Sequence, residues 1–368
     1  MPDSRQVRLE PSGHTFTVAP GETILEAALR QGIGLPYGCR NGACGACKGI
    51  LRSGELEYGD YQERALHAHE KAAGKALTCC TKPLTDIVFE VRELAGAKDL
   101  AIRTMPARVE KVERPADDVA ILYLKLPTGE RLQFLAGQYL DILMKDGKRR
   151  SFSMANAPHD DQFLELHIRK SPGGAFSRYV FDEMKERAII RFEGPLGTFY
   201  LREESDKPLI FVAGGTGFAP IKSLVEHAFH KGFDQPMVMY WGARARKDLY
   251  MPDLPVKWRQ DHPNFSFIPV LSDPLPGDNW PGRTGFVHQA VLDDFPDLSN
   301  FQVYACGAPA MTDVARETFV ERKGLPEDEF FCDAFTPSVD PKKSLSVPLP
   351  VPSALSAALF RSSSSAAP

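Results

Sequence analysis

The sequence predicts a multi-domain protein of mixed α+β and α/β class: a small α+β unit, then an antiparallel β-barrel, then an open parallel α/β sheet. Three observations carry this. A loop of small residues bearing three cysteines lies among short strands and a helix near the N-terminus. From about residue 100 to 204 short strand patterns follow one another, with Gly and Pro between them. From about 205 near-continuous apolar runs alternate with helical patterns, as a buried parallel sheet requires. At 368 residues the chain exceeds one ordinary domain. The divisions fall at 1–97, 98–204 and 205–336. Residues 337–368, rich in Pro, Ser, Ala and Lys, cannot bury a core and are expected to be a disordered tail.

In the first unit, Val7–Leu9 and His14–Val18 alternate around a Pro11-Ser12-Gly13 turn and read as a hairpin. Thr23 caps a helix with Ile24, Leu25, Ala28 and Leu29 on its apolar face and Gly32 as its stop. Ile87–Val91 closes the unit as a strand. In the second, strands are expected at Ala107–Val112, Val119–Leu126, Gln138–Met144, Arg150–Met154, Phe163–Ile168 and Ala188–Phe192. In the third, the apolar run Leu209–Ala213 feeds Gly214-Gly215-Thr216-Gly217 and a helix to about Lys231. Met237–Trp241, Phe265–Leu271 and Gln302–Cys306 repeat the strand signal.

Cys39, Cys44 and Cys47 stand at C-x4-C-x2-C spacing, and Cys79-Cys80 follow about thirty residues later. This is the spacing with which four thiolates hold a plant-type [2Fe–2S] cluster. The residues between are nearly all small, so the loop can wrap an inorganic cluster and aim N–H groups at its sulfurs. A zinc site normally takes two C-x2-C pairs, and only one is present. Buried structural thiols are the other alternative. Leu77, Thr78, Cys79 and Pro83 resemble the Leu-Thr-Cys-x-x-x-Pro pattern of plant-type ferredoxins, which implies a β-grasp fold. It also implies Cys79 as the fourth ligand, with Cys80 as the alternative.

A net charge of −4 and the absence of a long basic run exclude nucleic acid as the main partner. The apolar runs are too short to span a membrane, and the first residues lack a signal core. Seven cysteines, four of them assigned to a cluster, fit a cytoplasmic protein better than a disulfide framework. A monomer is expected.

Arg150-Ser151-Phe152-Ser153 opens a barrel strand, and Gly174-Ala175-Phe176-Ser177 opens a helix soon after. An arginine can bond a pyrophosphate bidentately, and exposed N–H groups at a helix start can take its other side. At this distance and followed by an α/β unit, the two resemble the ferredoxin–NADP reductase superfamily. That resemblance implies a Greek-key barrel and FAD. It sets Arg150 and Ser151 at the flavin's polar side, Phe152 against the isoalloxazine and Ser153 facing N5. It also sets His167-Ile168-Arg169 along the ribityl and adenosine side. The family usually has tyrosine where Phe152 stands, so one hydroxyl donor, worth about 1 kcal/mol, is lost.

The same resemblance covers the third unit. Gly214, Gly215, Thr216, Gly217 and Pro220 match the glycine loop on the nicotinamide side, whose glycines permit a tight turn and close backbone approach. Cys306, Gly307 and Met311 match Cys-Gly-x-Pro-x-Met, with Cys306 near the nicotinamide C4. Arg244 and Arg246 follow a strand that has no acidic residue at its end in sequence, which leans toward a 2′-phosphate and NADPH. Relatives regarded as NADH users keep both dinucleotides open. Phe335 is a candidate to cover the flavin, with core packing as the alternative.

Together these implications describe an NAD(P)H-dependent reductase that passes electrons through FAD and a [2Fe–2S] cluster to an electron-acceptor protein. Leu35–Gly42 and Glu193–Phe199 resemble the CDP-6-deoxy-Δ3,4-glucoseen reductases, which implies a dehydrase as acceptor. The reductase components of bacterial aromatic-ring and phenol-type oxygenases are the alternative. A redox-sensing iron–sulfur protein is the alternative of another class.

Overall fold

The protein is described by a computed structural model in which residues 4–94 and 100–336 are placed. The tail expected at 337–368 lies outside the described residues. β1 (Arg5–Glu10) and β2 (Thr15–Val18) pair as the predicted hairpin, with Val7 opposite Phe16. Thr23 caps α1 (Ile24–Arg30). Its hydroxyl accepts from the Glu26 N–H at 3.2 Å, and the Glu26 carboxylate accepts from the Thr23 N–H at 2.9 Å. This reciprocal arrangement satisfies two donors that a helix start otherwise leaves unpaired. β3 (Lys48–Ser53), β4 (Leu56–Tyr58), α2 (Ala68–Ala72), β5 (Lys75–Leu77), β6 (Thr81–Pro83) and β7 (Ile87–Glu90) follow. The sheet order is β2-β1-β7-β3-β5, with β1 and β7 parallel, and β4 pairs with β6 as a separate ribbon. Ile24, Leu25, Ala27 and Ala28 of α1 are buried together with Val7, Leu9 and Phe89 of this sheet.

Six strands make the second sheet: β8 (Arg103–Ala116), β9 (Val119–Lys125), β10 (Tyr139–Leu143), β11 (Arg149–Ser153), β12 (Leu164–Arg169) and β13 (Ile189–Leu196). All six overlap the predicted strands. Every pairing is antiparallel, in the order β11-β10-β13-β8-β9-β12. A bridge between Met154 and Leu166 brings the two edge strands together and closes the barrel. Inward-facing Leu122, Leu124, Leu140, Ile142, Leu166 and Phe192 fill it. Between β12 and β13 runs α3 (Ala175–Arg178), one turn long and continued by a π-helical turn at Tyr179–Glu183.

The third sheet is parallel throughout. Its elements are β14 (Leu209–Gly214), α4 (Phe218–His230), β15 (Met237–Ala243), α5 (Asp253–Asp261), β16 (Phe265–Leu271), β17 (Arg283–Thr284), α6 (Val287–Asp294), β18 (Gln302–Gly307), α7 (Pro309–Lys323) and β19 (Phe330–Ala334). The order β17-β16-β15-β14-β18-β19 means that the chain winds outward from β14 on one side, then crosses to the other. The ends of β14 and β18 are therefore the switch point at which open α/β sheets form a ligand crevice.

The three sheets pack as parts of one compact unit. The first meets the barrel through paired polar contacts. The Tyr37 N–H donates to the Thr198 hydroxyl at 2.9 Å, and the Thr198 N–H donates to the Tyr37 carbonyl at 3.1 Å. The Arg40 guanidinium lies 3.4 Å from Glu193, which also holds Arg149 at 2.6 Å. Arg64 pairs with Asp313 of α7 at 3.2 Å.

The barrel meets the parallel sheet through a buried polar network. His167 Nε2 bonds with Glu165 at 2.7 Å, His167 Nδ1 with the Tyr250 hydroxyl at 2.8 Å, and Lys222 Nζ donates to Glu165 at 3.1 Å. Burial alone would raise the Glu165 carboxyl, but the His167 bond and the Lys222 charge outweigh it and hold the group at about 2. A carboxyl depressed in this way stabilises the fold above its unfolded pKa of about 4.5, and that contribution is lost as pH falls toward 2. Glu165→Gln should therefore cost on the order of 3 kcal/mol at pH 7 and flatten the decline of stability between pH 5 and pH 2. Urea unfolding at pH 7 and pH 3 measures both effects; an unchanged acid slope would contradict this role.

Candidate active site

The loop after α1 carries the cysteines. Arg40 and Gly42 both adopt positive φ, +60° and +70°, so the chain doubles back on itself. A Cβ on Gly42 would lie 2.7 Å from the Asp60 carbonyl, so only glycine fits there. The doubled loop turns N–H groups toward sulfur. Ala43 N–H points at Cys39 Sγ (3.2 Å), Gly42 N–H at Cys79 Sγ (3.3 Å) and Cys39 N–H at Cys44 Sγ (3.4 Å). The thiols meet as Cys39 with Cys44 and as Cys47 with Cys79, which also meets Cys80. Among the described residues no three His, Cys, Asp or Glu side chains converge on a single-ion site. Two pairs with backbone donors at their sulfurs suit a two-iron cluster, which takes four thiolates, better than a tetrahedral zinc. Cys80 Sγ lies 3.7 Å from the Leu77 carbonyl and also meets the Cys79 thiol, so it borders the same group. No cysteine is in a disulfide among the described residues.

Burial and the bond from Cys39 push the Cys44 thiol well above its ordinary range, while the same bond draws Cys39 down to about 6. Four thiolates packed together, two of them buried, cannot coexist without a cation, which is what a metal centre supplies.

β11 carries the second group of candidate residues. Arg150 is half-buried, and its guanidinium donates to the Arg149 carbonyl at 2.7 Å. The Ser151 hydroxyl is taken by Asp141 at 2.6 Å. The partly buried Phe152 ring packs against the barrel core, its centroid 5.2 Å from that of Phe176. Nearby, a pocket of about 410 Å³ is lined by Asp118, Lys170, Ser171, Gly173, Gly174 and Arg178. The Ser177 hydroxyl is engaged within that loop, accepting from Ser171 N–H at 3.2 Å and donating to the Gly174 carbonyl at 3.1 Å. Ser177 thus shapes the pocket wall, next to Ala175 at the start of α3.

The segment His167-Ile168-Arg169 divides differently from the expectation. Both ring nitrogens of His167 are occupied by Glu165 and Tyr250, and Ile168 is fully buried in the barrel core. Neither side chain faces an open site, because alternate residues of a closing barrel strand point inward or into the neighbouring sheet. Arg169 does face one. Its Nε lies 3.4 Å from the Asp118 carboxylate, its Nη2 has no hydrogen-bond partner among the described residues, and its Nη1 lies 3.5 Å from where a Cβ on Gly215 would sit. A guanidinium beside a glycine turn, with Nη2 left over after the Asp118 contact, fits an anionic group such as a diphosphate.

At the switch point two strand ends touch. A Cβ on Gly217 would lie 2.0 Å from the Cys306 carbonyl, and one on Gly214 would lie 2.8 Å from Met311 Sδ. Close approach of β14 to β18 therefore accounts for these two glycines on packing grounds. Thr216 lies in the 3-10 turn that leads into α4, and Pro220 is buried in its first turn, where a missing N–H costs nothing. Cys306 is fully buried, and burial holds its thiol well above the ordinary range and so uncharged. Gly307 follows it and accepts the Phe335 N–H at 2.8 Å, while the Phe335 side chain packs against the core beneath the sheet.

Two acidic residues escaped the sequence reading. Asp333 pairs with Cys306 in the β18–β19 register, and its carboxylate accepts from the Ser153 hydroxyl at 3.4 Å. Burial raises it to about 6, and the Cys39 sulfur is near enough to act on its charge in the same direction. Its signal was a lone acid inside the apolar strand Phe330–Ala334. Asp278 is the second, brought beside the end of β15 from far along the chain. It arrives from the loop after β16, accepts the Arg246 N–H at 3.0 Å and accepts from the Arg246 guanidinium through its carbonyl at 3.3 Å. Arg244 is exposed beside it. Arg246 is thus tied to this loop through its N–H and one guanidinium–carbonyl bond.

No described helix is long and apolar enough to cross a membrane. Three family models match in succession: a 2Fe-2S iron-sulfur cluster binding domain over residues 7–84, an oxidoreductase FAD-binding domain over 106–200 and an oxidoreductase NAD-binding domain over 211–317. The CDP-6-deoxy-L-threo-D-glycero-4-hexulose-3-dehydrase reductase of Yersinia pseudotuberculosis is 45% identical over 91% of this chain and 99% of its own length. Reductase component 1 of terephthalate 1,2-dioxygenase from Comamonas sp. is 36% identical over 91% and 98%. The crystal structure of the Amycolatopsis reductase GcoB superposes with a TM-score of 0.74 at 34% identity, covering 90% of this chain and 99% of that one. With the three matched segments in the order of the three sheets, and relatives aligned nearly end to end, the chain belongs to the ferredoxin–NADP reductase superfamily as an NAD(P)H-dependent iron–sulfur flavoprotein reductase with an N-terminal [2Fe–2S] domain.

Proposed function

We propose that this reductase, in a reducing cytoplasm, delivers electrons from NADH or NADPH to a separate CDP-6-deoxyhexulose dehydrase. The observation that carries the electron path is the convergence of Ser153, Asp333 and the Cys39 loop at one place. The choice of acceptor rests on the 45% identity to a dehydrase reductase, against 36% to a dioxygenase component over the same share of the chain. An oxygenase component as acceptor is the second reading.

When bound, FAD takes an electron pair from the nicotinamide, and the cluster passes electrons on singly at low potential. The residues divide the remaining work. Cys39, Cys44, Cys47 and Cys79 hold the irons, and the Gly42 and Ala43 N–H groups face their sulfurs. Arg150 would hold the flavin's diphosphate, Phe152 would pack on its ring, and the pocket at Ser171–Gly174 has room for its adenosine end. Arg169, beside Gly215, would hold a dinucleotide diphosphate. The Ser153 hydroxyl and Asp333 carboxyl hold a proton at the reacting edge. Asp333, raised to about 6, is a usable donor below neutral pH. The uncharged Cys306 thiol and Phe335 exclude water from the crevice.

Four measurements test these assignments. Cys79→Ser should abolish or alter the paramagnetic signal of the dithionite-reduced protein, whereas Cys80→Ser should leave it nearly unchanged; the reverse pattern would move the fourth ligand by one residue. Ser153→Ala should slow NAD(P)H-driven flavin bleaching on the order of tenfold to a hundredfold with flavin retained. Arg150→Ala should weaken flavin retention by roughly tenfold to a hundredfold, the loss of a charge-assisted bond. Equal flavin loss in both variants would refute that division. Finally, the purified reductase should support turnover of a CDP-6-deoxyhexulose dehydrase in the presence of NAD(P)H. No turnover with the dehydrase, alongside turnover of an oxygenase component, would favour the second reading.

A further inference from the structure

Tyr139 is a buried tyrosine at the start of β10, directly opposite Ser153 in the β10–β11 register. Its ring has room because residue 197 is a glycine at φ +89°, where a Cβ would stand 2.8 Å from the ring carbons. The hydroxyl leaves the barrel and donates to the Gly38 carbonyl at 2.7 Å. That carbonyl belongs to the peptide joining Gly38 to Cys39. The N–H of the same peptide points at Cys44 Sγ, 3.4 Å away. One peptide group is thus held at both ends, by a barrel tyrosine on the carbonyl side and by a cysteine sulfur on the N–H side.

We infer that Tyr139 is a positioning residue for electron transfer between the two halves of the reductase, setting the Gly38–Cys39 peptide so that its N–H faces the Cys44 sulfur and the cysteine loop stays seated on the barrel. A hydrogen bond to a carbonyl polarises the peptide and strengthens the bond its N–H makes. Donors at the sulfurs raise the reduction potential of an iron–sulfur cluster. The tyrosine therefore acts on both the distance and the driving force of the step, without touching the dinucleotide crevice. The neighbouring Tyr37–Thr198 bonds hold the same segment, so loss of one hydroxyl leaves the seam assembled.

This inference rests on the ligand assignment above, and the test separates the two. In Tyr139→Phe holoprotein the ring stays and only the hydroxyl goes. The dithionite-reduced paramagnetic signal should persist at full intensity, and NAD(P)H-ferricyanide turnover, with its KM, should be unchanged. The cluster's reduction potential should move to more negative values, and NAD(P)H-cytochrome c turnover should fall about fivefold, the equivalent of one neutral hydrogen bond. An unchanged potential and unchanged cytochrome c turnover, with the cluster intact, would overturn the inference. So would a parallel loss of ferricyanide turnover, which would make Tyr139 a support of the barrel. Full cytochrome c turnover in a cluster-free Cys44→Ser protein would instead overturn the electron path on which the inference stands.

Discussion

The contact between the Ser153 hydroxyl and the Asp333 carboxylate is where the three sheets of this reductase become one device. Ser153 ends a barrel strand, Asp333 lies in the last strand of the parallel sheet, and the Cys39 sulfur of the first sheet is near enough to bear on the same carboxyl. Transfer between centres held by different domains needs those centres brought together and kept dry. No single sheet could supply the arrangement. The ion pairs and hydrogen bonds along the seams, weak one by one where they are exposed, matter because they fix this meeting point.

Close approach has a backbone cost, and the sequence answers it with glycine. Gly42 in the cysteine loop and Gly217 between β14 and α4 stand where a side chain would collide with main-chain atoms. The glycine loop of the parallel sheet is thus shaped first by the neighbouring strand end at Cys306. The Arg169 guanidinium stands beside the same turn, with Nε near the Asp118 carboxylate and Nη2 without a hydrogen-bond partner among the described residues. Packing and binding are two consequences of one constraint here, so the structural reading and the nucleotide reading of these glycines are compatible.

Elements with strong local signals were legible in the sequence. The Thr23 cap, the six barrel strands and the apolar run into Gly214 lie where periodicity and turn chemistry placed them. The short strands β3 to β6 and the helix α2 did not announce themselves, because segments of three to six residues are too brief for a period to emerge. In the site, spacing sufficed to collect the cysteines, since a loop's ligands lie close in sequence. Asp333, Asp278 and Tyr139 were not legible. Each acquires its role from a residue far along the chain, Ser153, Arg246 and Gly38 respectively, and no local pattern encodes a contact across sheets. His167 shows the converse, since its motif was visible while its burial against Tyr250 was not.

Charge explains why the cysteine loop and the barrel are built to meet. Thiols packed in pairs and mostly buried are mismatched in acidity, with Cys44 forced neutral as Cys39 is drawn toward the thiolate. A centre that stabilises all four as thiolates must carry positive charge, and its net charge changes with each electron it stores. Asp333 accepts from Ser153 and is near enough to the Cys39 sulfur for the two charges to act on each other. Burial lifts its carboxyl to about 6, so it is mostly ionised at pH 7 and gains its proton as pH falls through that value. Its charge at the meeting of the three sheets is thus set within the range in which a small change of pH, or of charge on the cysteine loop, alters it.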